Sequence, residues 1–203
     1  MWSNGITPDD VQGRSRVSKL ASTNLAEAIA VAKAIKHPWY RCQALSIAAE
    51  HATSKNQKLE LLQKAFDSAQ LQTEINRAVT VSAWPLRVLA PLAPNEAKER
   101  IMALVNQANR EPHTLRRADA LFALANAVHS DTSLLAIIAP ALTTALVNGH
   151  GWRIDRLIRF SAPHVKDLMP DMFQKLVRIA FVQPFGHAGD GAGWCFLPVR
   201  PCR

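Results

Sequence analysis

The sequence predicts an all-α protein built as a stack of antiparallel helix pairs, an α-solenoid. Three observations carry that expectation. Ala and Leu, both strong helix formers, dominate a chain with a single tyrosine and few strand-type clusters. Apolar residues recur at helical spacing in segment after segment, with short turn signals between. An arginine with a fixed set of apolar neighbours returns every three dozen or so residues, and a period of that length marks stacked helical repeats.

The elements follow in order. Residues 1–22 are polar and turn-rich, with Gly5, Pro8 and Gly13, and are expected to form a flexible arm with at most one helical turn. The repeat domain is expected over 23–181. Asn24 starts its first helix, with Glu27 three residues on in capping-box spacing, and His37-Pro38 ends it. Residues 38–52 place Leu45, Ala48 and Ala49 on one face. Residues 55–71, after a cap at Ser54, do so with Leu59, Leu62 and Phe66. Residues 74–92 contain Pro85, which is expected to kink the helix or restart it. Residues 95–109, 113–129, 132–148 (capped by Asp131) and 152–168 continue the pattern. Pro170 opens a last helix to 181. Residues 182–203, with Gly186, Gly189, Gly191 and Gly193, form an irregular tail outside the repeat.

The repeat register is set by Arg41, Arg77, Arg117 and Arg153, at intervals of 36, 40 and 36 residues. Four residues after each stand Leu45, Val81, Leu121 and Leu157. Seven after stand Ala48, Trp84, Leu124 and Phe160. Nine before stand Ala32, Ser68, Ala108 and Thr144, all small. One helix pair cannot bury its apolar face alone, whereas stacked pairs share a continuous core. In this register the small residues let paired axes approach, and the residues at +4 and +7 fill the space between layers.

The segments PWYRCQALSIAAEHA and TLRRADALFALANAV resemble the second helix of HEAT-like repeats, and the resemblance spans about residues 24–181. It implies an α-solenoid of about four antiparallel helix pairs wound as a right-handed superhelix, and it speaks of fold rather than activity. The acidic residue usual before the arginine stands only at Glu74; Pro38, Thr114 and His150 replace it elsewhere.

Composition narrows the function classes. The net charge of +8, from 24 Lys and Arg against 16 Asp and Glu, is densest after residue 150 and favours encounter with polyanions or acidic proteins. The start of the chain has no apolar signal region, and no stretch reaches roughly 18 apolar residues, so no membrane span is expected and the cytoplasm is the default location. Cys42, Cys195 and Cys202 are too few and too scattered for a disulfide framework. No Ser-His-Asp or Cys-His order stands out, and no paired carboxylates share a helix face, so no catalytic residue is assigned. No cofactor and no metal site is expected; the edge histidines His37, His113 and His150 would sit a helix-packing distance of about 10 Å apart, too far to share one ion.

The candidate binding residues are therefore surface features. Arg41, Arg77, Arg117 and Arg153 form one column. Arg153, Arg156 and Arg159 rise at helical steps on one side of a single helix. Trp39, Trp152 and His113 mark an edge where the second helices begin. The first expectation is a non-catalytic scaffold holding a partner protein on the concave face formed by the second helices. The alternative is a nucleic-acid binder using the basic C-terminal half, since HEAT-like glycosylases show that the architecture admits DNA; that reading extends to an enzyme acting on DNA.

Overall fold

A computed structural model describes residues 5–149 and 152–165, together with the single positions 170 and 174. These residues form nine helices and no strand: α1 (Pro8–Leu20), α2 (Leu25–Ala34), α3 (Pro38–His51), α4 (Lys55–Gln70), α5 (Ile75–Leu92), α6 (Pro94–Ala108), α7 (Thr114–Ala127), α8 (Thr132–Val147) and α9 (Trp152–Val165). The expected helix over 170–181 and the tail over 182–203 lie outside the described residues.

The N-terminal segment departs from the flexible arm expected over 1–22. The Thr7-Pro8-Asp9-Asp10 stretch starts a helix. Thr7 Oγ accepts the Asp10 N–H at 3.3 Å, and Asp10 returns a carboxylate oxygen to the Thr7 N–H at 2.9 Å. Pro8 occupies the first turn, where its missing N–H costs nothing, and the two carboxylates suit the positive helix start. The helix then buries Val17 and Ala21. With so few apolar residues its periodicity is faint, which hid it.

Two later caps fall where the sequence places them. Asn24 Oδ1 accepts the Glu27 N–H at 3.2 Å, and Asp131 Oδ1 accepts from Ser133 and Leu134 at 3.0 and 3.1 Å. The helix expected from Asn95 begins at Pro94. Ser54 precedes α4 without a side-chain cap bond.

Pro85 neither restarts nor interrupts α5. A proline inside a helix leaves the carbonyl four residues back without its donor. Here that carbonyl, on Val81, accepts from the Cys42 Sγ at 3.5 Å across the α3–α5 contact. Burial holds the Cys42 thiol far above its ordinary range, so it stays protonated and able to donate.

Helices meet only in series. Among the described residues none touches another more than two places along the chain. The odd-numbered helices form an unbroken row, with α1 against α3, α3 against α5, α5 against α7 and α7 against α9. The even-numbered helices do not: α6 meets α8, but α2 and α4, and α4 and α6, keep their backbones apart. Long side chains bridge the latter gap, with Gln70 and Gln107 amides 3.3 Å apart.

The columns aligned on the four arginines can be followed by burial. Leu45, Val81, Leu121 and Leu157 are all buried, as are Cys42, Ala78, Ala118 and Ile154 one residue after each arginine. In the small column Ala32, Ser68 and Ala108 are buried but Thr144 is exposed. The +7 column divides. Ala48 and Leu124 are buried, Trp84 is half-buried and Phe160 is exposed.

Candidate functional site

The arginine column does two different jobs. Arg41 Nη1 donates to the Ile35 carbonyl at 3.3 Å, and Arg117 Nη1 donates to the Glu111 carbonyl at 3.3 Å. Each thus binds the carbonyl six residues back, at the turn into its own helix. Carbonyls at a helix end lack intrahelical donors, and a guanidinium supplies one. Arg41 Nε also reaches Ser68 Oγ on α4 at 3.0 Å. These two side chains brace turns. Arg77 instead faces across the row, with its guanidinium 5.5 Å from the centre of the Trp39 ring. Arg153 and Arg156 are exposed on α9. Their charges act on Asp119 of α7. Desolvation between the two helices raises that carboxyl above the ordinary aspartate range, against the opposing pull of Arg156 and Arg153. Trp152 and Arg159 lie on α9, but their side chains fall outside the described residues, as does His150. His113 is the exposed N-cap of α7, its N–H bound by Glu111 at 3.1 Å, and takes no part in the cluster around Trp39.

That cluster is the most developed polar feature of the odd row, and most of it was not singled out from sequence. It is centred on Gln43, a buried glutamine on α3. Its amide has two orientations. One sets the oxygen 3.4 Å from Arg14 Nη1; the other accepts from the indole N–H groups of Trp39 and Trp84, at 3.0 and 3.3 Å. We assign the second, because it satisfies two indole donors with shorter bonds. One buried amide then fixes two tryptophans on adjacent helices.

Guanidinium groups cover the aromatic rings. Arg77 lies over Trp39, Arg87 over Trp84 at 5.4 Å, and Arg14 of α1 over Tyr40 at 6.0 Å. Arg87 also pairs with Glu50 of α3. The network therefore joins α1, α3 and α5 through one continuous set of arginines and aromatics. Beyond it, Trp84 and Arg87 border a recess of about 260 Å³ between α5 and α7, walled by Ala83, Ala123 and Ala127. Asp119 with Arg153 and Arg156 extends the face to α9.

A larger groove of about 510 Å³ opens on the other side, between α4 and α6, floored by Phe66 and Leu104. Arg100 crosses it, 4.9 Å from the Phe66 ring centre and hydrogen-bonded to Gln63.

Spacing held two traces of the odd-row cluster. Trp84 and Arg87 stand three residues apart on one helix, and Glu50 and Arg87 are 37 residues apart, close to the spacing of the arginine column. The +7 alignment assigned Trp84 to the core, which concealed it. Gln43 carried no signal, since an isolated glutamine inside an Ala-rich helix reads as solvated.

Among the described residues no group of three or more His, Cys, Asp or Glu is placed to hold a metal ion, and no helix is long and apolar enough to cross a membrane. No protein-family model, no curated protein and no solved structure matches the chain.

Proposed function

We propose that the chain is a HEAT-like α-solenoid of stacked antiparallel helix pairs, and that it works as a non-catalytic scaffold holding a partner protein against the odd-helix face. Serial contacts are what stacked repeats produce, each layer touching only its neighbours. Closer packing along the odd row than along α2, α4 and α6 bends such a stack toward the odd side, which makes that side concave. Concave surfaces of this kind present an extended bed for a partner chain.

The observation that carries the proposal is the Gln43 node. Tryptophan and arginine dominate binding energetics at protein interfaces, especially when their conformation is set before the partner arrives. Trp84 is half-buried, tied by Gln43, and stacked by Arg87 at the border of the recess between α5 and α7. A side chain held this way loses little freedom on binding.

Cross-linking of the full chain in cell extract, followed by mass spectrometry, tests this reading. Cross-linked partners are expected to map to α3, α5 and α7. Trp84→Ala should weaken their capture by about thirty-fold, the equivalent of a ~2 kcal/mol hot spot. Cross-links confined to the even helices, or capture unchanged by Trp84→Ala in a variant that still folds, would contradict it.

A further inference from the structure

Resting on the scaffold reading above, we infer that the partner segment held on the odd-helix face is acidic, with an apolar side chain seated in the recess beside Trp84.

The inference begins with charge. The helical stripes facing along the odd row carry Arg14 on α1, Arg77 and Arg87 on α5, Arg116 on α7, and Arg153 and Arg156 on α9. Among the described side chains, the carboxylates on the same stripes are Glu50 and Asp119. Six guanidinium groups against two carboxylates leave this face strongly positive, and Glu50 is already paired with Arg87. Asp10, the acidic residue of α1 nearest the row, is turned away into backbone N–H groups of the α2–α3 turn. Charge complementarity therefore selects a negatively charged occupant, and planar guanidinium groups suit carboxylates in particular.

Shape then separates an acidic protein segment from a nucleic acid. Base recognition in single strands rests on open aromatic faces for stacking. Here guanidinium groups lie over Trp39, Trp84 and Tyr40, and both indole N–H groups bond Gln43. The recess between α5 and α7, about 260 Å³ and lined by Ala83, Ala123 and Ala127 together with Thr80 and Asn126, has room for a single apolar side chain. Arg87 stands at its border, placed to meet a carboxylate next to that side chain. An apolar anchor flanked by acidic residues fits this arrangement.

The test pans the full chain against a displayed library of short linear peptides, with a mixed-sequence single-stranded oligonucleotide measured in parallel by fluorescence anisotropy. Enriched peptides are expected to be rich in Asp and Glu around one aliphatic or aromatic residue. Their affinity should fall about ten-fold in Arg87→Glu and in Arg77→Glu, and rise several-fold in Glu50→Gln, which releases Arg87 from its carboxylate. That rise guards the test against a charge reversal that merely unfolds the chain. Enrichment of neutral or basic peptides would overturn the inference while leaving the scaffold reading in place. Acidic peptides indifferent to all three variants would overturn it as well. Oligonucleotide binding that competes with the peptides would replace it with a phosphate ligand. A library that yields no binder would overturn the inference, while the scaffold reading would still be decided by the cross-linking experiment.

Discussion

Replacing Leu121 by alanine should destabilise the chain by about 3–5 kcal/mol, the upper range for emptying a buried leucine site. Leu121 is fully buried, in the column it shares with Leu45, Val81 and Leu157. It stands on α7, which packs against α5, α6, α8 and α9. A cavity there loosens every contact between the middle layers and the C-terminal ones, and rigid helices on several sides leave little room for collapse. Thermal unfolding followed by circular dichroism checks the size of the effect. Phe160→Ala is the matched comparison. The sequence pattern puts Phe160 in an inward column, but the residue is 51% exposed on α9. Its loss should cost under about 1 kcal/mol, as surface changes do. Equal costs for the two variants would refute the assignment of inward and outward columns.

Removing the carboxylate of Asp10 should cost about 2–4 kcal/mol and detach α1 from the rest of the stack. The residue is 3% exposed. Its Oδ1 accepts the Lys36 and His37 N–H groups at 3.1 and 2.9 Å, and its Oδ2 accepts the Thr7 N–H and hydroxyl at 2.9 and 2.7 Å. One side chain thus starts α1 and fastens it to the turn before α3. Hydrogen bonds to a charged acceptor contribute about 1.5–3 kcal/mol each, and deleting the acceptor leaves buried donors unpaired. Burial pushes this carboxyl up, yet the four hydrogen bonds outweigh it, and the pKa lies below the ordinary 3.8. The sign follows directly. A depressed native pKa contributes stability that is complete above the unfolded-state value and is lost as pH falls through the native one. The wild-type protein should therefore lose stability below about pH 4 more steeply than Asp10→Asn. Chemical denaturation across that range checks it; parallel curves for the two proteins would refute the assignment.

The two residues also mark what could be read from the chain without coordinates. Leu121 was legible because helix packing writes itself as period: apolar residues return at helical spacing, and a residue type returns at a fixed offset from an arginine. The same periodicity located α3, α4, α7 and α8 to within two residues. Asp10 was not legible in this way. Its bonds to Lys36 and His37 join segments 26 and 27 residues apart, with no periodic trace. The capping box at Thr7 was present in the sequence, but a helix with so few apolar residues gave it no pattern to attach to.

The odd-row face shows the same contrast. Arg77 stood in the repeated column, but which arginines would brace turns and which would face the row was set by local geometry. Arg41 and Arg117 found a carbonyl six residues back, whereas Arg77 found the Trp39 ring. Gln43, which links Trp39 to Trp84, is a single buried polar residue satisfied by partners on two helices, an arrangement that only tertiary contacts create. The helical spacing within PWYRCQALSIAAEHA told of a helix and its inward side and nothing of this node.

Amide hydrogen exchange in Leu121→Ala distinguishes helices stacked in file from a closed bundle. A stack with contacts only between neighbours should lose protection in α6 to α9 while α1 to α3, which α7 does not touch, keep theirs. Uniform loss of protection across all the helices, as in a closed core that opens as one unit, would contradict it.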